Sequence, residues 1–241
     1  AAIIYGRCAP VVMGHAKNLG TVPIREIRVP RTSQVEQFLY SDILAWREIP
    51  FLLVIAKPLN IIFIKALKGH NTANLIETFE DLIKDLKTRN FTPVKCYVDP
   101  AANMTKLKGS VSVPIDISGQ GTHVPEAEVE IKIIKETMRS TEAGLPCPVP
   151  LRFVKYQMYE TVTFRNTLLR TKSTHSPREE FTGIKFDIKL HARARFFDYC
   201  LAYRTPYKSN SEEPRAAASI FLMHTGNSTG TVIMYDLVTR A

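Results

Sequence analysis

The sequence predicts a mixed α/β fold, one sheet flanked by helices with a small β module at the C-terminal end. Three observations carry that expectation. Strand-like runs come first, three in succession from residue 35 to residue 64. Helical periodicity then alternates with short strands, and the stretch "HVPEAEVEIKIIKETMRS" at 123–140 reads as an amphipathic helix.

Each element has its own signal. "VEQFLYSDILAW" at 35–46 alternates polar and apolar residues as a half-buried strand does. It hands on through Arg47-Glu48 to Phe51–Ala56 and Ile61–Ile64, two β-branched-rich runs around a Lys-Pro-Leu-Asn turn, the signal of a hairpin. The stretch 49–67 is nearly long enough to span a bilayer, but Lys57, Pro58, Asn60 and Lys65 interrupt it, which excludes a membrane helix. "HNTANLIETFEDLIKDLKTRN" spaces Leu75, Ile76, Phe79, Leu82, Ile83 and Leu86 helically, with Asn71 or Thr72 as cap. "TPVKCYVD" and "VSVPIDIS" at 111–118 read as further strands with a short helix between them, and a longer helix runs from about Pro150 to Arg170. Three meandering strands followed by alternating strands and helices match the ribonuclease H-like arrangement better than a doubly wound sheet.

Composition narrows the partners. The chain has 241 residues, 45% hydrophobic and 23% charged, with a net charge of +9, which favours a polyanionic partner, nucleic acid or an acidic membrane surface, without choosing between them. Cys8, Cys96, Cys147 and Cys200 stand far apart with no CxxC pair, which indicates neither a zinc knuckle nor a disulfide framework and favours a reduced, intracellular compartment. No secretory signal is evident at the N-terminus. His123 and His191 stand singly and read as polar or capping residues rather than metal ligands.

In the predicted fold Asp42 lies on the first strand and Asp99 at the end of the fourth, so one sheet edge can receive both carboxylates. The 123–140 helix adds Glu128. Its buried seam is Ala127, Ile131, Ile134 and Met138; a quarter-turn away Glu128 heads a stripe of Lys132, Lys135 and Arg139. A Glu four residues before a Lys is an ordinary helix pair worth about 0.2–0.5 kcal/mol. Three acids at one sheet edge are also what a pair of hard divalent cations requires, and such a pair serves phosphoryl transfer. The bases of the stripe then face phosphates. Asp42 sits in an apolar strand, where an acid without a partner is costly. Asp99 precedes Pro100, a pair that also marks a plain turn. Asp116, Glu126 and Glu130 compete as candidates.

Beyond physics, "FLYSDILAWREIPFLLVIAKPL" resembles the first-strand hairpin of retrotransposon integrase catalytic domains, and "GQGTHVPEAEVEIKIIKETMR" resembles their third-acid helix. "SPREEFTGIKFD" is similar to the stretch after the core in Ty1/copia-type polyproteins, and "FFDYCLAY" with "EPRAAASIFLMHTGNSTGTVIMYDLVT" to their small SH3-like module. The likeness runs from about Tyr5 onward and is most specific at 38–58 and 119–139. It implies an integrase of the retroviral superfamily in which Asp42, Asp99 and Glu128 form the DDE triad and hold two Mg²⁺ or Mn²⁺ ions. It further implies that Lys132 and Lys135, with Arg139 beyond them, contact DNA. The implied activity is 3′-end processing and joining of element DNA to target DNA, by a homo-oligomer without a membrane association, in the nucleus or a virus-like particle. The sequence departs from the pattern at Pro100-Ala101-Ala102-Asn103 after Asp99, in the 28 residues between Asp99 and Glu128, and at Val129, where an Arg often stands. A silent DNA-binding remnant and a ribonuclease H-like hydrolase therefore stand beside the strand-transferase.

The expected domains are an irregular arm at 1–32, a catalytic domain at 33–172, a basic linker at 173–194 and the β module at 195–241. From Arg165 to Lys208 ten Lys or Arg face four Asp or Glu, and in "KLHARARFF" bases alternate beside aromatics, as in a DNA-facing strand or extended segment.

Overall fold

A computed structural model describes residues 27–30, 35–69, 72–100, 107–117, 124–171, 173–203, 215–227 and 230–240. Residues Ile27–Phe186 make one compact unit, and the chain from Asp187 belongs to a second.

The larger unit is built on a five-stranded sheet. Strands β1 (Glu36–Trp46), β2 (Ile49–Lys57) and β3 (Ile61–Ala66) form the antiparallel meander. Helix α1 (Thr72–Thr88) leads to β4 (Thr92–Val98), which pairs parallel with β1, and β5 (Ile115–Ile117) pairs parallel with β4. The strand order β3-β2-β1-β4-β5 is the ribonuclease H-like arrangement that the element order predicted. Arg47 and Glu48 both take positive φ, 46° and 67°, the geometry that matches a two-residue turn to strand twist. Arg47 then donates to the Val149 carbonyl at 2.6 Å and to Glu142 at 2.7 Å, so the hairpin tip is tied down.

Each face of the sheet has its own core, because side chains alternate along a strand. One face buries Leu39, Leu52, Val54, Cys96 and Val98 against Leu75, Phe79, Leu82, Ile83 and Leu86 of α1. The other buries Leu44, Phe51, Leu53 and Ile55 against helices α2 (Pro125–Ala143) and α3 (Leu151–Arg165). The predicted α2 seam holds: Ala127, Ile134 and Met138 are buried and Ile131 packs beside them. Helix α4 (Pro177–Thr182) starts with a capping box, the Ser176 side chain accepting from the Glu179 N–H while Glu179 reaches back to the Ser176 N–H.

Two elements are shorter than expected. Helix α3 stops at Arg165 rather than near Arg170, because the Asn166 side chain accepts from the Ile62 N–H at 2.9 Å and donates to the Ile62 carbonyl at 2.7 Å, acting as one more rung on edge strand β3. Strand β5 covers three residues of the eight foreseen. Pro114 has no N–H to give, and its carbonyl makes the last contact, accepting from Cys96. Of the segment between β4 and β5 where a short helix was expected, 107–113 form turns and bends rather than a helix, while 101–106 and the Asn71 cap lie outside the described residues.

The second unit holds a short helix, α5 (Ile188–His191), and a separate antiparallel sheet of order β6-β7-β8, from Tyr199–Tyr203, Ala216–His224 and Val232–Asp236. The start of "KLHARARFF" is thus helical rather than extended, because the His191 ring accepts from the Asp187 N–H at 3.0 Å and closes a turn. This is a capping role for His191; His123 lies outside the described residues.

Candidate active site

Register brings the first two acids together. Leu39 and Ile43 belong to the α1-side core, whereas Tyr40, Leu44 and Trp46 belong to the α2 side, so alternation puts Asp42 on the α2 side. On β4, Cys96 and Val98 face α1, leaving Tyr97 and then Asp99 for the α2 side. Ser41 pairs with Val98 across the parallel ladder, so the next residues along, Asp42 and Asp99, are neighbours where the pairing ends. Tyr40 and Tyr97, paired one step earlier, stack with ring centroids 5.2 Å apart. Both acids are half-buried, and Asp42 Oδ1 accepts from the Ile43 N–H at 2.6 Å.

Helix α2 lies along the same face. Its first turn is tied to β2 by Lys57–Glu126 at 3.6 Å, and its last turn to the β1–β2 tip by Arg47–Glu142 at 2.7 Å, with the Trp46 indole donating to the same carboxylate at 3.2 Å. The helix therefore runs in the direction of β1. Glu128, in the first turn, is exposed, as are Lys132 and Arg139, while Lys135 is half-buried. Arg139 spends part of its charge on packing, its guanidinium 5.9 Å from the Trp46 ring centre.

The competing acids are each engaged by a base. Asp116 meets Lys95 at 2.7 Å, a hydrogen bond that holds its carboxyl below the ordinary value. Glu126 meets Lys57. Glu130 accepts from Arg165 at 3.1 and 3.2 Å and pairs with Arg170 at 3.2 Å, a clamp between α2 and the chain beyond α3.

Three carboxylates are the right donors for a hard divalent ion. Among the described residues, however, no three His, Cys, Asp or Glu side chains are gathered as a group that holds a metal. The backbone juxtaposes Asp42 and Asp99 and lays the Glu128 helix on their side of the sheet; it does not close the three onto one point.

A second set of residues escaped the sequence reading. Lys57 lies 5.3 Å from the Tyr40 ring centre and Lys95 5.1 Å from that of Tyr97. Together they form a row, Lys57-Tyr40-Tyr97-Lys95, across β2, β1 and β4. The Tyr40 hydroxyl is pushed up by burial, and further by Glu126 and Tyr97. A signal was present: Tyr40-Ser41-Asp42 and Tyr97-Val98-Asp99 repeat Tyr-x-Asp on two strands that pair in register.

No family model matches the chain, and no curated protein matches it. Among solved structures it is similar to the catalytic core domain of BIV integrase, with a TM-score of 0.44 and 10% identity over 60% of this chain and 93% of that one.

Proposed function

We propose that Ile27–Phe186 is the catalytic core of a retrotransposon DNA integrase, which trims the 3′ ends of element DNA and joins them to a target. The observation that carries the reading is the register that sets Asp42 beside Asp99 at the end of the parallel β1–β4 pair, on the face along which the Glu128 helix runs. Asp42, Asp99 and Glu128 would hold two Mg²⁺ or Mn²⁺ ions, which in such sites activate the attacking oxygen and stabilise the leaving one. Lys132, Lys135 and Arg139 bind the phosphate backbone along α2. The β6–β8 sheet is read as SH3-like, and the chain leading into it adds DNA contact through Arg193 and Arg195, which are exposed. A homo-oligomer acting in the nucleus or a virus-like particle belongs to the same reading, and among the described residues no helix is long and apolar enough to cross a membrane.

One observation favours a second reading, a silent DNA-binding remnant: no metal-holding group of three is assembled among the described residues. Strand transfer of labelled oligonucleotide ends, with Mg²⁺ or Mn²⁺ present or absent, separates the two. Joining by the native chain that falls to background in Asp42→Asn, Asp99→Asn and Glu128→Gln, and persists in Asp116→Asn, supports the integrase. Metal-dependent cleavage without joining marks a hydrolase instead. Tight DNA binding with no chemistry marks the remnant.

A further inference from the structure

We infer that Phe38, on the acid-bearing face of the central strand, is a stacking platform for an unpaired nucleobase at a DNA end. Alternation from buried Leu39 puts Phe38 on the face of Tyr40, and the residue is 37% exposed although β1 is the middle strand of five. In register it stands between Lys57 on β2 and Lys95 on β4. Phe38 thus extends the Lys57-Tyr40-Tyr97-Lys95 row away from Asp42, and joins neither hydrophobic core.

The chemistry of the row chooses the occupant. The Lys57 and Lys95 side chains are 37% and 39% exposed and already paired with Glu126 and Asp116, so with these partners the row carries no net charge. A phosphate gains little there. A base gains more: its π-face covers the Phe38 ring, and its carbonyl and ring-nitrogen acceptors meet Lys57 and Lys95, each with three donors. Bases inside a duplex are stacked on one another, so the platform selects frayed or overhanging ends. The net charge of +9 brings the polyanion near without specifying the base.

The identity of the partner rests on the integrase reading, but the binding does not require chemistry and is measured without divalent ions. The full chain is titrated into labelled single strands, duplexes with a three-nucleotide overhang and blunt duplexes, over a range of salt concentrations. Phe38→Ala weakens the first two about tenfold, the effect of losing one stacked base, and leaves blunt duplex unchanged. Phe38→Tyr restores the affinity, Phe38→Leu does not, and the slope of log K against log salt is the same in all. Equal loss on blunt duplex, no loss, or a shallower slope overturns the proposal. A changed sedimentation coefficient of Phe38→Ala without DNA also overturns it, since the ring is then a contact between copies of the chain. If overhang selectivity appears while the native chain joins no ends, the platform stands and the integrase reading falls.

Discussion

Asn166 does at one position what a strand would need several residues to do. Its amide satisfies the N–H and the carbonyl of Ile62, both buried, at the free edge of β3. Asn166→Ala leaves both backbone groups without a partner, and urea unfolding should show a loss of about 2–4 kcal/mol. Ser176 and Glu179 make a comparable local device. Burial pushes the Glu179 carboxyl up, but hydrogen bonds from the Ser176 and Phe186 N–H groups and the Ser176 hydroxyl outweigh it, and the group is held below its ordinary 4.5. A depressed carboxyl stabilises the fold above its unfolded value and loses that contribution as pH falls through the folded value. The urea midpoint should therefore drop as pH is lowered below about 4.5, and Glu179→Gln should flatten that drop. The second device leaves a mark in the sequence, the Ser-x-x-Glu spacing of Ser176-Pro177-Arg178-Glu179, whereas the first leaves none. Asn166 reads as an ordinary helix residue, and its partner Ile62 lies 104 positions away.

At the scale of elements, α2 combines a buried seam with an exposed basic stripe. The seam was legible because periodicity encodes which side of a helix is buried, and Ile134, fully buried, fits that pattern. Ile134→Ala should cost about 2–5 kcal/mol in equilibrium unfolding, the usual range for truncating an enclosed aliphatic. The stripe makes a separate prediction: Lys132→Ala and Lys135→Ala should weaken duplex binding at every sequence and reduce the salt slope by about one unit each. Unaltered slopes would show that the stripe faces solvent only. The end of α3 was illegible because it is set by a partner in another element, Ile62, of which local propensity carries no record. The start of β5 did leave a local mark, Pro114, which has no N–H for the ladder.

Across the whole molecule, the order of elements sufficed for the larger unit, because three strands in meander followed by parallel additions leave few ways to cover both faces of a sheet. The adjacency of Asp42 and Asp99 was legible for the same reason, since topology alone makes their strands neighbours. Their flanking tyrosines were not, because a tyrosine in an apolar strand reads as core until the register is known. That register has a consequence for variation in the chain. Along β1 the odd positions build the α1-side interior and the even positions carry Phe38, Tyr40 and Asp42, so deletion of one residue within the strand exchanges the two rows beyond it. Leu39 and Ile43 would leave the α1-side interior, and the Asp42 carboxylate would enter it. Such a change would destabilise the sheet from inside, and length changes in this region are tolerable only in connecting loops, never inside the ladder.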